Sequence, residues 1–139
     1  MSETPDTTID LPEPSELLAA HRGALADGRL TFQRCSACQN AWLPPRDRCP
    51  RCLADTWAWE TASGRATVVS WVVYHRAYHP AFADRVPYNV VLVDLEEGPR
   101  MLSTVIGIDG GEGLAIDLPL QAEVGHEGEV PVARFRLAT

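Results

Sequence analysis

With 139 residues the chain suits one compact domain plus a small appendage, and is long enough to bury a real hydrophobic core. Twelve arginines, no lysine and nineteen Asp and Glu give a formal net charge of −7, which repels a phosphate backbone and disfavours general nucleic-acid binding. No run approaches the roughly eighteen apolar residues of a membrane span, and residues 1–10 lack the basic and apolar regions of a secretory leader, so a reducing, cytoplasmic setting is expected.

Residues 1–14 are rich in Thr, Asp, Glu and Pro and read as an extended or disordered arm. Ser15 then offers an N-cap to a helix that puts Leu17, Leu18, His21 and Leu25 on one face, with Gly28 placed to end it in a left-handed conformation. Gly23 weakens that helix, so its leucine face needs a docking partner, either this chain or another. Residues 29–34 alternate apolar and polar up to the first cysteine.

All four cysteines fall in one eighteen-residue stretch, Cys35-x-x-Cys38, ten residues, Cys49-x-x-Cys52. Each pair turns two thiolates onto one ion, and two pairs supply the four soft ligands of a tetrahedral structural zinc. Two disulfides are the alternative, and belong to an oxidising compartment. A catalytic zinc is disfavoured, because four thiolates leave no position for water or substrate. With zinc bound, four thiolates and one dication add −2 to the −7, giving −9. Residues 32–59 are too few to fold on burial alone, so metal must hold them together. Pro44 and Pro45 stiffen the link between the knuckles, and Trp42, Trp57 and Trp59 are expected to roof this small core.

Beyond residue 64 the chain reads as strands: 66–75, 88–95, 100–108, 118–124 and 130–137 are β-branched or apolar runs bounded by turn residues. Residues 96–99, Glu-Glu-Gly-Pro, suit a tight hairpin turn, and 109–113 a flexible loop. Five strands with no intervening helix match a small closed barrel of the oligonucleotide/oligosaccharide-binding (OB) type. The expected fold is therefore mainly β: an acidic arm and N-terminal helix over 1–30, a four-cysteine zinc ribbon over 31–60, and a five-stranded OB-fold barrel over 61–139.

Three motifs together make the chain resemble a known family: the two Cys-x-x-Cys pairs with Pro-Pro-Arg-x-x-Cys-Pro between, His-Pro-x-Phe (79–82) followed by Pro87-Tyr88, and Leu-Glu-Glu-Gly-Pro-Arg (95–100). It resembles the zinc-ribbon plus OB-fold proteins of domain-of-unknown-function family thirty-five, over residues 15–138. The resemblance implies a non-catalytic subunit that binds and stabilises a thiolase-fold, lipid-transfer-protein-like enzyme acting on acyl-CoA thioesters, including retro-aldolases of steroid side chains. It also implies that Cys35, Cys38, Cys49 and Cys52 hold one structural Zn²⁺ per chain. The family commonly places Gly after the second cysteine of a knuckle; here Gln39 and Asn40 follow Cys38, and Leu53 follows Cys52, with Asn40 the residue expected to take the left-handed turn.

Other candidates are weaker. Tyr74, Tyr78, Phe82 and Tyr88, with Trp71, form an aromatic set that reads as barrel core, as a protein or acyl-CoA contact, or as a base-stacking platform. Arg46, Arg48, Arg51, Arg76 and Arg85 offer cations for CoA phosphates. His75 and His79 stand four apart, but at a strand end entering a Pro-terminated loop, so loop packing or partner contact outweighs catalysis. His21 is expected to face a docking surface, and His126 to be a solvated turn residue. No nucleophile motif or Gly-rich phosphate loop stands out. The alternatives to the accessory-subunit reading are a free OB module for single-stranded nucleic acid and an independent acyl-CoA-binding protein.

Overall fold

The computed structural model describes residues 15–80 and 83–138; the N-terminal arm and Phe82 lie outside them. Helix α1 (Glu16–Ala26) begins where the Ser15 hydroxyl accepts a hydrogen bond from the Leu18 N–H at 3.2 Å. It ends in a Schellman closure: Arg29 N–H reaches Ala24 O, Gly28 N–H reaches Leu25 O, and Gly28 takes φ +85°. The helix packs on its own chain, against β1 and β8, and buries Ala24 and Leu25. Of its leucine face, Leu25 docks on the domain itself, while Leu17 and Leu18 are half-buried.

A three-stranded antiparallel sheet follows, with β1 (Thr31–Cys35) between β2 (Ala41–Trp42) and β3 (Trp57–Thr61). The alternation expected over 29–34 gives way to near-continuous burial, with Thr31, Phe32 and Gln33 all enclosed. The physical reason is that β1 is central: β2 and β3 flank its edges, α1 packs against it, and the inter-knuckle link lies over Gln33.

The second sheet runs β6-β5-β4-β7-β8. Strands β4 (Arg65–Tyr74), β5 (Tyr88–Leu95), β6 (Arg100–Ser103), β7 (Pro119–Glu127) and β8 (Val130–Leu137) are all paired antiparallel. An irregularity between Val68 and Ser70 bends long β4, which is how one strand serves both halves of a curled sheet. The segment after β6 meets the edge strand β8 at a short parallel seam, where Ile106 N–H bonds Phe135 O (2.8 Å) and Phe135 N–H bonds Thr104 O (3.0 Å). Period two on β5 sends Val91, Val93 and Leu95 inward onto Val68, Leu120 and Phe135. This curled five-stranded half-barrel is the OB-type architecture expected.

Two strand limits differ from expectation. The run 100–108 stops pairing as a ladder at Ser103, because the Thr104 hydroxyl and Val105 N–H turn to the Asn89 side chain. Strand β7 continues to Glu127, so His126 is an exposed strand residue and the turn is Gly128-Glu129.

Candidate functional site

The four cysteine sulfurs converge. Cys35 closes β1, Cys38 lies in the turn after it, and Cys49 and Cys52 form the facing turn; all four Sγ atoms lie within 4.8 Å of one another. Cys35–Cys52 and Cys38–Cys49 are each 3.6 Å apart. A disulfide needs about 2.0 Å, whereas the edges of a tetrahedron with 2.3 Å metal–sulfur bonds are about 3.8 Å. All four cysteines are free thiols in this geometry, and among the described residues they form the cluster with metal-ligand spacing.

Backbone amides aim at the sulfurs. Cys38 N–H (3.5 Å) and Ala37 N–H (3.3 Å) point to Cys35 Sγ, and hold that thiol below its usual range. Burial works to raise Cys49, but N–H donors from Cys52 and Arg51, the Cys38 sulfur and the Asn40 amide (3.7 Å) bring it to about 6. At Cys52 the Ala54 N–H favours the thiolate, yet desolvation and the crowding of the other three sulfurs push it up to about 12. With sulfurs 3.6 Å apart, like charges oppose one another and four thiolates do not all ionise alone; a soft dication at their centre removes the conflict. The donor set therefore fits a closed tetrahedral structural zinc.

The left-handed turns fall on Gln39 (φ +65°) and Leu53 (φ +67°), not on Asn40. Each is the residue directly after its knuckle's second cysteine, and the Gln39 N–H and Leu53 N–H close back on Cys35 O and Cys49 O. Arg34 Nη1 holds Gln39 O at 2.9 Å and Arg48 Nη1 holds Leu53 O at 3.2 Å, so each strained turn has its own cation on the carbonyl. Asn40 serves instead through its side chain on Cys49.

Trp42 is buried beside the cysteines with Trp57 against it, as a roof should be. Trp59 stands in the middle of β3, edge-on to Trp57 and stacked at 6.2 Å on His21. His21 also bonds the Thr31 hydroxyl (3.3 Å), and it lines the open groove between α1 and the β7–β8 hairpin.

The aromatic set divides. Trp71 packs against the barrel core. Tyr74 and Tyr88, directly paired across β4 and β5, stack at 5.1 Å, and Tyr78 meets Tyr74 edge-on at 6.1 Å. These tyrosines lie on the outside: Tyr78 is 73% exposed, and Arg76 lies over its ring. Their register continues through the Val72–Val90 pair and the Leu92–Leu102 pair, where Val72 and Leu102 are 54% and 68% exposed. One outer face of β4-β5-β6 thus carries apolar and aromatic side chains where a one-sided antiparallel sheet should be polar.

The five arginines do not gather on one element. Arg46, Arg48 and Arg51 belong to the ribbon, Arg76 lies over Tyr78, and Arg85 grips Glu127 with two bonds of 2.6 and 2.8 Å. The Arg85 guanidinium holds the Glu127 carboxyl below the usual carboxylate range. Arg85 also lines a groove of about 970 Å³ between α1 and the β7–β8 hairpin, floored by Leu18, Leu25, Met101 and Val132. His75 is exposed and His79 half-buried in the segment between β4 and β5. No helix among the described residues is long and apolar enough to cross a membrane.

Comparison with known proteins accounts for both modules. Residues 22–58 match the model of the ChsH2 rubredoxin-like zinc ribbon domain, and residues 59–125 that of the ChsH2 C-terminal OB-fold domain. A DUF35 domain-containing scaffold protein of Methanothermobacter thermautotrophicus is 32% identical over 108 residues, 77% of this chain and 74% of that one. The chain belongs to the DUF35 family. A probable enoyl-CoA hydratase alpha subunit of Thermomonospora curvata is 42% identical over 109 residues, 76% of this DUF35 chain; the chain spans only a third (33%) of that relative's length. Among solved structures, a chain of the Ltp2-ChsH2(DUF35) aldolase superposes with a TM-score of 0.80 at 33% identity, covering 93% of this chain and all of that one.

Proposed function

We propose that this DUF35 chain is a non-catalytic scaffold subunit that seats and stabilises a thiolase-fold, lipid-transfer-protein-like enzyme acting on acyl-CoA thioesters. The thiolase or retro-aldolase chemistry resides in the partner, in a hetero-oligomer. The acyl groups implied by the family resemblance include steroid side chains, and the reduced thiols of the ribbon suit the cytosol. The observation that carries this reading is the correspondence of nearly the whole chain to a chain of the Ltp2-ChsH2(DUF35) aldolase. The four-cysteine cluster supports it, since a closed shell of one structural Zn²⁺ holds a shape and offers no open position for chemistry.

The outer face of Tyr74, Tyr78, Tyr88, Val72 and Leu102 is the surface assigned to the partner. His79 and Phe82, from the adjoining segment, are assigned to the same contact, and Arg46 and Arg85 to the acyl-CoA phosphates. Co-expression with thiolase-fold or lipid-transfer-type subunits from the same genome tests the reading. The expected result is a stable complex whose aldol-cleavage or thiolase activity neither chain shows alone; a chain that stays solitary with each of them refutes it. A second reading, favoured by the hydratase alpha-subunit relative, makes the partner a hydratase subunit, and the same co-expression with hydratase subunits separates the two.

A further inference from the structure

In the link between the knuckles, residues 43–48, Pro44 and Pro45 follow Leu43, so beyond Leu43 the link offers the rest of the ribbon no N–H until Arg46. That first amide is captured by a side chain. Gln33, fully buried in the middle of β1, accepts from Arg46 N–H with Oε1 at 2.8 Å and donates from Nε2 to Arg46 O at 2.8 Å. The pair of bonds is what a neighbouring strand would make, supplied here by one amide side chain. Gln33 stands two residues before Cys35, and Arg46 three residues before Cys49. A second clamp sits one residue on, where Trp57 Nε1 donates to Asp47 O at 2.9 Å.

We propose that Gln33, assisted by Trp57, is the positioning residue of the metal centre: it docks the inter-knuckle link so that the Cys49/Cys52 turn already faces the Cys35/Cys38 turn before an ion arrives. This rests on the reading that the four cysteines hold a metal. An apolar side chain of similar size would fill the same space, so packing alone does not call for glutamine at a fully enclosed site. A buried amide is tolerated because both of its polar atoms are matched, and its removal leaves Arg46 N–H without that partner. Without the clamp the ion must also supply the ordering of the ten-residue loop, and affinity falls by that amount.

The test measures zinc binding to the full chain by competition with a chromophoric chelator, using Gln33→Leu and Trp57→Phe, with Co²⁺ substitution to read the thiolate charge-transfer and ligand-field bands. Gln33→Leu is expected to weaken zinc on the order of 10–100-fold, the range typical of lost outer-shell support. Trp57→Phe, losing one hydrogen bond, is expected to weaken it about fivefold. Both should broaden or shift the Co²⁺ bands while the barrel's melting, followed by far-UV circular dichroism with metal saturating, stays at the wild-type value. Wild-type zinc affinity in Gln33→Leu overturns the proposal. So does barrel melting that falls in step with zinc affinity in both variants, which would mark a general loss of fold. If the wild-type chain itself binds no zinc, the failure lies in the metal reading and not in the role of Gln33.

Discussion

Asn89 offers the sharpest test of how the half-barrel closes. Its side chain, 3% exposed, donates to Val105 O (3.0 Å) and Gly110 O (2.7 Å) and accepts from Val105 N–H (2.8 Å) and the Thr104 hydroxyl (3.0 Å). One residue of β5 thereby fastens the segment that leaves β6 for the seam with β8. Asn89→Leu keeps the volume roughly constant but strands the buried Val105 N–H and removes a partner from two carbonyls. At roughly 1–3 kcal/mol for each buried group left unsatisfied, the loss should reach about 3–5 kcal/mol. That is a large share of the roughly 5–15 kcal/mol stability of a small domain. Thr104→Val, which removes a hydroxyl that also bonds Asn89 O (2.8 Å), should cost about 1 kcal/mol and be far less than additive with Asn89→Leu. Urea unfolding followed by far-UV circular dichroism, with zinc saturating, measures both. A loss below about 1 kcal/mol for Asn89→Leu would refute the claim that this amide closes the barrel.

Gly64, between the ribbon and β4, has φ +87°, and a Cβ there would lie 2.5 Å from Gln121 Nε2 and 3.3 Å from Ala122 Cβ. Gly64→Ala should therefore cost about 2 kcal/mol from left-handed strain and crowding, and a thermal melt unchanged from wild type would contradict this. Burial lowers the pKa of His21, opposed by its bond at Thr31 and reinforced by Arg22, so the folded ring takes up a proton at lower pH than the unfolded chain's 6.5. Its contribution is full above pH 6.5 and is lost as pH falls beneath that value toward the folded pKa. The stability difference between wild type and His21→Gln, both zinc-saturated, should shrink as pH falls from 7.5 to about 5.5; a difference independent of pH would sink the argument.

Much of this molecule is legible in its residues. Strands β5 and β8 run over the expected residues, because β-branched runs bounded by turn residues leave little choice of register. The four-cysteine cluster was readable because thiolate chemistry allows few other uses for two such pairs. Polar residues within strands were harder. Gln33 sits in an alternation that reads as an outward-facing polar position, Asn89 is a polar residue in phase with the inward valines, and their burial depends on partners 13 and 16 residues away that no local pattern names. The tyrosines pose the converse problem. Composition cannot distinguish core from surface, and only the pairing of Tyr74 with Tyr88 puts both on the outer face. Placement of the left-handed turns at Gln39 and Leu53 reflects the knuckle's own hydrogen-bond ring, which overrides the intrinsic preference of Asn40.

Native mass spectrometry of the chain, prepared without oxidation, tests the central claim most directly. One zinc per chain, with stepwise chelation melting the ribbon before the barrel, is the predicted result. A metal-free chain whose ribbon is folded, or a mass lowered by two disulfides, would contradict it.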